Sequence, residues 1–149
     1  MIFYAANLKG SDFKNAQFKN VFFINTDLSE AKNISVDDAN IQILNGECKL
    51  EISEALEVII MKLMNIEKIR KHYVLTTKVS KGRKINNWIL YLLKENYSEE
   101  ELIKGFTRIY SNDTLNSNKL FFTYYSFFDF FWKYLKKDDR LKLSCPGTV

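Results

Sequence analysis

The residues able to do chemistry are few, and their spacing favours contact over bond-making. His72 is the single histidine. Acid–base or metal chemistry would need groups converging on it, and none is recognisable in the sequence. Cys48 and Cys145 are far apart, form no CxxC pair and have no companion histidine, which argues against a disulfide framework or a zinc site. The run Ser98-Glu99-Glu100-Glu101 looks like an acidic cluster, but a serine followed three residues later by glutamate is a capping box. Lys78, Lys81, Arg83 and Lys84 surround a lone Gly82. That excludes a phosphate loop of the GxxxxGK type, yet such a run of cations suits a phosphate backbone. Aromatic side chains crowd residues 119–137. No catalytic residue, metal or cofactor is expected, and the reading is of a binding protein, not an enzyme.

The elements that must position these groups follow from composition and pattern. The chain has 149 residues, 46% apolar and 15% aromatic, with one Pro and five Gly, enough for one domain or two small ones. Lys outnumbers Arg 18 to 4 and Asn occurs 14 times, the bias of an AT-rich genome. Charge is divided unevenly: residues 1–60 hold 5 Lys/Arg against 9 Asp/Glu, residues 61–149 hold 17 against 9. The longest apolar-rich run, residues 120–135, contains Thr123, Ser126, Asp129 and Lys133, too short and polar to span a bilayer. No secretory leader is recognisable, so a reduced, cytoplasmic protein is expected.

From Phe3 to Asn33 the sequence repeats every five residues. Phe3, Leu8, Phe13, Phe18, Phe23 and Leu28 form one row, and Ala6, Ser11, Ala16, Val21, Thr26 and Ala31 a second row of smaller residues two positions ahead of the next centre. A period of five fits neither a helix nor an alternating strand. It requires a chain that turns a corner at every repeat.

This pattern resembles the pentapeptide-repeat family, with its A(D/N)LxX consensus. The resemblance implies a short right-handed quadrilateral β-helix in which the same face recurs after four quintets, setting Phe23 over Phe3 and Leu28 over Leu8. Fewer than two coils are expected, too few to stand without other support. Some family members mimic DNA, but Lys9, Lys14, Lys19 and Lys32 here outnumber Asp12, Asp27 and Glu30, so no acidic surface like a duplex is expected. Phe22 and Ile24 are apolar at flanking positions that are normally polar, which marks them as expected exposed contacts with a protein partner.

Beyond residue 33 the register fades. Apolar spacing predicts one helix over residues 52–72, a polar connector over 76–84, and a helix over 84–96. A third helix is expected from the Ser98 cap through Tyr110, a loop over 111–118, and an aromatic helix over 119–137. The expected fold is thus α+β: a β-helix segment over 1–45, a bundle of about four helices over 50–143, and a flexible tail over 144–149. Residues 83–135 are also loosely similar to the DnaD-like C-terminal region of phage replication proteins. The likeness rests on a helix ending in Trp88, the Tyr97-Ser98-Glu99-Glu100 run, and Phe127, Phe128, Phe131, Tyr134 and Leu135. It implies contact with DNA.

Two functions follow. The first is an interaction or inhibitory protein of phage or mobile-element type, anti-defence or anti-CRISPR in role. It would bind a nucleic-acid-handling protein through Phe22, Ile24, Tyr124, Tyr125 and Trp132, the aromatic helix serving alternatively for a homodimer. The second is a DNA-binding replication accessory protein, gripping phosphates through Lys78, Lys81, Arg83, Lys84, Lys136, Lys137 and Arg140. Phe18→Asp, which places a charge among the row of large side chains, is expected to unfold the N-terminal segment. An unchanged circular dichroism spectrum and melting temperature in that variant would sink the repeat architecture.

Overall fold

The computed structural model describes residues 1–112, 121 and 123–143, with side chains described through Leu135. The chain divides into two compact units, Met1–Cys48 and Lys49–Val149. The expected loop at 113–118, the first residues of the aromatic helix, the tail at 144–149, and Cys145 lie outside the described residues. So do the side chains of Lys136, Lys137 and Arg140.

In the first unit, β1 (Ile2–Tyr4), β2 (Val21–Ile24) and β3 (Ile41–Leu44) form a parallel sheet in the order β1-β2-β3. Phe3 pairs with Phe23 and Val21 with Ile41, so the ladder repeats every 20 residues, four quintets per turn. Bridges from Asn7 to Asp27 and from Asp12 to Lys32 keep the same offset. The corners are visible in the backbone. Ala5, Gly10, Asn15, Asn20 and Asn25 all have φ between 47° and 76°, the left-handed region that Asn and Gly tolerate best. The Oδ1 atoms of Asn7, Asp12, Asp27 and Asp38 each accept from the amide two residues on, at 2.8–3.1 Å. Inside, the Phe3 and Phe23 rings stack at 4.9 Å and 6°, with Phe13 edge-on to both. Val21, Phe23 and Ile41 are the buried centre, and Phe18, Leu8, Leu28 and Ile34 pack against it.

Strand β3 lies a full turn beyond β2, so the ladder has more turns than expected while staying within the segment expected over 1–45; the repeat pattern itself fades at Asn33. There the left-handed corner moves to Asn33 itself (φ 57°), and Ile34 supplies the apolar contact in its place. Side chains then tie the turns together. Asn25 Oδ1 accepts from Gly46 N at 2.7 Å while its Nδ2 donates to Gly46 O at 3.1 Å. Asn33 Nδ2 donates to Asp12 Oδ1 at 2.6 Å.

The second unit holds five helices and a two-stranded hairpin among the described residues. The helix expected over 52–72 is two: α1 (Glu54–Leu63), capped by Ser53, and α2 (Glu67–Arg70). Three successive three-residue hydrogen bonds, from Met64, Asn65 and Ile66, tighten and end α1. The expected connector over 76–84 is an antiparallel hairpin of β4 (Thr76–Val79) and β5 (Gly82–Ile85). Ser80 and Lys81 form its two-residue loop, and Gly82, the first residue of β5, takes left-handed backbone at φ 99° where the chain re-enters the ladder. Helix α3 (Asn87–Lys94) is capped by Asn86. Helix α4 (Glu99–Ser111) has the full Ser98–Glu101 capping box. Helix α5 spans Tyr124–Leu143, later at both ends than the sequence pattern indicates.

Helix α4 is the hub, packing against α1, α3 and α5. Leu102, Phe106 and Ile109 on α4 meet Phe127 and Phe131 of α5 in a fully buried core, with Phe106 edge-on to both rings. The Tyr97 hydroxyl donates to Phe128 O at 3.0 Å, and burial, aided by Glu101 and Asp129, pushes its pKa up to about 12. The tightest approach is at Gly105, where a Cβ would overlap the Phe131 ring. Gly105→Ala should therefore destabilise the helical unit by about 1–3 kcal/mol, although helix propensity alone would favour Ala by about 1 kcal/mol. Adding Phe131→Leu should recover part of the loss. A urea melt in which Gly105→Ala gains stability would contradict this packing.

Candidate functional site

The hairpin is where the structure gathers the cations. Lys78 and Arg83 are opposite one another in the register, so they share a face, while Lys84 pairs with Thr77 and points to the other. Arg83 is committed to the fold: its Nη1 donates to Arg70 O at 3.2 Å and to Thr76 Oγ1 at 3.3 Å. Thr76 is buried, its hydroxyl 3.2 Å from Met64 Sδ. The Arg83 guanidinium also lies over the Tyr73 ring, 4.7 Å from its centroid. These bonds draw the C-terminal end of α2 against the hairpin. Arg83 therefore serves as a brace as much as a phosphate contact, and Lys78, Lys81 and Lys84 are the exposed cations of the strands and loop.

Helix α5 presents two faces. Tyr124, Phe127, Phe130 and Phe131 are buried, with Phe121 stacked on Phe127 at 4.6 Å. Tyr124, expected as a partner contact, instead belongs to the core: its hydroxyl donates to Leu92 O at 3.3 Å, and burial raises its pKa. Tyr125 and Trp132, seven residues apart and hence on one face, remain 40% and 43% exposed. An Asp129–Lys133 ion pair at 2.9 Å lies along the same helix. Tyr134, 36% exposed, stacks on Phe130 and receives Lys104 and Arg108 over its ring.

On the ladder, Ile24 is fully buried and Phe22 half-buried, which overturns the expectation that both are exposed contacts. Flanking positions in β2 are shielded because β2 is the central strand of the sheet. Large side chains left open there include Tyr4 of β1, 39% exposed, and Ile43 of β3, 36% exposed.

The acidic run at 99–101 is structural. Glu101 closes the capping box, its Oε1 accepting from Ser98 N at 3.0 Å. Glu99 joins three elements: Oε1 accepts from Ser53 N at 2.6 Å and Oε2 pairs with Lys94 at 3.3 Å. Burial pushes the Cys48 thiol up, away from a reactive thiolate. No group of three or more metal-ligating side chains occurs among the described residues. No described helix is long and apolar enough to cross a membrane.

Residues 3–32 match the family described as pentapeptide repeats (8 copies). Residues 3–32 of the N-terminal ladder are thus a pentapeptide-repeat segment, and the match does not reach residues 83–135, whose likeness to the DnaD-like region gains no support from it. No curated protein and no solved structure matches the chain.

Hydrogen bonds from the Ser53 side chain and backbone, with Lys94, hold the Glu99 carboxyl below its ordinary pKa. A carboxyl depressed on folding stabilises above its unfolded pKa, and that contribution is lost as pH falls through the folded value. Glu99→Gln should cost roughly 0.5–1.5 kcal/mol near neutral pH, with the gap from wild type narrowing as pH drops below about 4.5. Thermal melts across that range would test it, and a gap independent of pH would rule out a charge-based clamp.

Proposed function

We propose that this protein is a non-catalytic interaction protein that binds a protein partner through the outer face of α5. The observation carrying this reading is the pair Tyr125 and Trp132, large aromatic side chains left exposed on one helix face while the opposite face fills the core. Aromatic residues of this kind dominate interface hot spots because they bury much area with few rotatable bonds. A nucleic-acid-handling protein or complex is the partner class that suits the basic second unit, and an inhibitory role follows from a module that binds without reacting. The N-terminal ladder is read as a short right-handed quadrilateral β-helix, supported by its 20-residue parallel register and a left-handed corner every five residues. It serves as scaffold, with exposed Ile43 offering a second, smaller contact.

Tyr125→Ser with Trp132→Ser should leave the melting temperature nearly unchanged, since neither side chain is buried in the core. It should weaken partner binding by roughly 30-fold or more, the effect of losing about 2 kcal/mol at a hot spot. Affinity capture with wild type and the double variant, from nuclease-treated extracts, tests this. An identical set of captured proteins would overturn it. Sedimentation of the purified protein separates the homodimer outcome.

A second reading, direct contact with nucleic acid, is favoured by one observation: the hairpin and the end of α2 bring Arg70, Lys78 and Arg83 together. Between Lys68 and Lys94 the sequence contains no Asp or Glu. These cations would attract a polyanion, although Glu57 lines a surface hollow together with Arg83 and Lys84.

A further inference from the structure

We propose that Tyr73, braced by Arg83 and flanked by Arg70 and Lys78, is a base-stacking platform for single-stranded nucleic acid; this rests on the second reading above and adds a ligand class and a residue to it.

Tyr73 stands out on three counts. Its φ is 51°, a left-handed conformation that is costly for a bulky residue and is found where the surrounding structure enforces it. Tyr73 is 43% exposed although it is aromatic. One face of its ring is covered by the Arg83 guanidinium at 4.7 Å, and Arg83 is itself anchored to Arg70 O and Thr76 Oγ1. The result is a planar surface held at a fixed angle, with little conformational freedom left to lose on binding.

The surroundings select the ligand. Arg70, Lys71, Lys78 and Lys81 are exposed, and no carboxylate occurs in sequence from Lys68 to Lys94. Cations next to an aromatic ring are the two components of single-strand recognition: the charges follow the phosphates while the ring takes a base. A duplex would bring the phosphates but not the base, because its base faces are already stacked on one another. An acidic protein segment would use the charges and leave the braced ring without a role.

The test is fluorescence anisotropy of the full chain with labelled oligo(dT), oligo(rU) and a duplex of equal length, at low and physiological salt. Single strands should bind more tightly than the duplex, with affinity falling steeply as salt rises. The comparison of oligo(dT) with oligo(rU) tells whether DNA or RNA is preferred. Tyr73→Asn, which tolerates the left-handed backbone, should weaken binding by roughly 5- to 100-fold, while Tyr73→Phe keeps it. Lys78→Ala with Lys81→Ala should reduce the salt dependence. Photocrosslinking wild type to a bromodeoxyuridine strand should place the adduct at Tyr73, which keeps the test open if Tyr73→Asn misfolds.

If Tyr73→Asn folds and binds like wild type, or if the duplex binds as well as the single strand, the platform fails. Loss of binding in the lysine variant would then leave the phosphate-contact reading standing. Absence of any salt-sensitive binding by wild type would overturn both.

Discussion

The ring of Phe131 lies directly on the backbone of α4 at Gly105, and the helical unit is arranged around that approach. With no side chain at Gly105, α5 comes close enough for Phe127 and Phe131 to reach Phe106, and for Tyr97 and Tyr124 to satisfy their hydroxyls on backbone carbonyls. A buried tyrosine without such a partner would incur a desolvation cost comparable to a lost hydrogen bond. The close approach also decides the orientation of α5. Once Phe127 and Phe131 face inward, the helical period turns Tyr125 and Trp132 outward. The exposed aromatic pair is thus a consequence of core packing, and a composition this rich in rings leaves some of them on the surface.

The ladder solves a different problem. Its rows of Phe and Leu carry the stacking, but the corners make the stacking regular. Five consecutive quintet ends take left-handed backbone, three of them Asn and one Gly, while Asn and Asp side chains close the turns between. Ala5 takes the same conformation without an amide side chain, where Ala5 N donates to Ile24 O across to the next turn at 2.8 Å. Adjacent turns are linked by backbone hydrogen bonds at each offset of about 20 residues, so the ladder rests on a continuous hydrogen-bond column as well as on its apolar rows.

Legibility differed between the two units for physical reasons. In the ladder, local sequence determines local structure: the five-residue period and the stacking of Phe3 with Phe23 are readable because each depends on residues at fixed offsets, and the capping box at Ser98 in the helical unit is readable for the same reason. The Asn and Gly row at positions 10, 15, 20 and 25 carried the corner signal just as clearly, in residues not used for the reading. Strand β3 falls inside the segment expected over 1–45, but the repeat does not show it as a further turn, because its place depends on register with β2 rather than on its own quintet. The break in the helix at Met64–Ile66 and the 76–85 hairpin were missed because neighbouring elements decide them. Ile69 is the buried residue of a new short helix that starts at Glu67, and Arg83 reaches back to Arg70 in a pairing that sequence spacing does not reveal. Phe22 and Ile24 were misplaced for a related reason, since exposure on a ladder is set by the neighbouring strands.

Arg83 shows why a cluster of charge alone did not locate the candidate site. In sequence it is one of four equivalent cations beside Gly82. In the fold it is the member removed from simple solvation, spending its guanidinium on a carbonyl, a threonine hydroxyl and an aromatic face. A lysine could not make that fork of contacts with a planar head, which gives physical meaning to an arginine in a chain otherwise dominated by lysine. The remaining cations gain from this arrangement. With Arg83 tying α2 to the hairpin, Arg70 and Lys78 are carried on connected elements instead of independent loops, and their mutual repulsion is the cost of holding them there. Structural charges are normally balanced by nearby carboxylates, as Lys94 is by Glu99 and Lys133 by Asp129. The segment from Lys68 to Lys84 has no acidic residue of its own in sequence. Exposed cations in that segment, Arg70, Lys71, Lys78 and Lys81, are the charges on which the proposed single-strand contact draws.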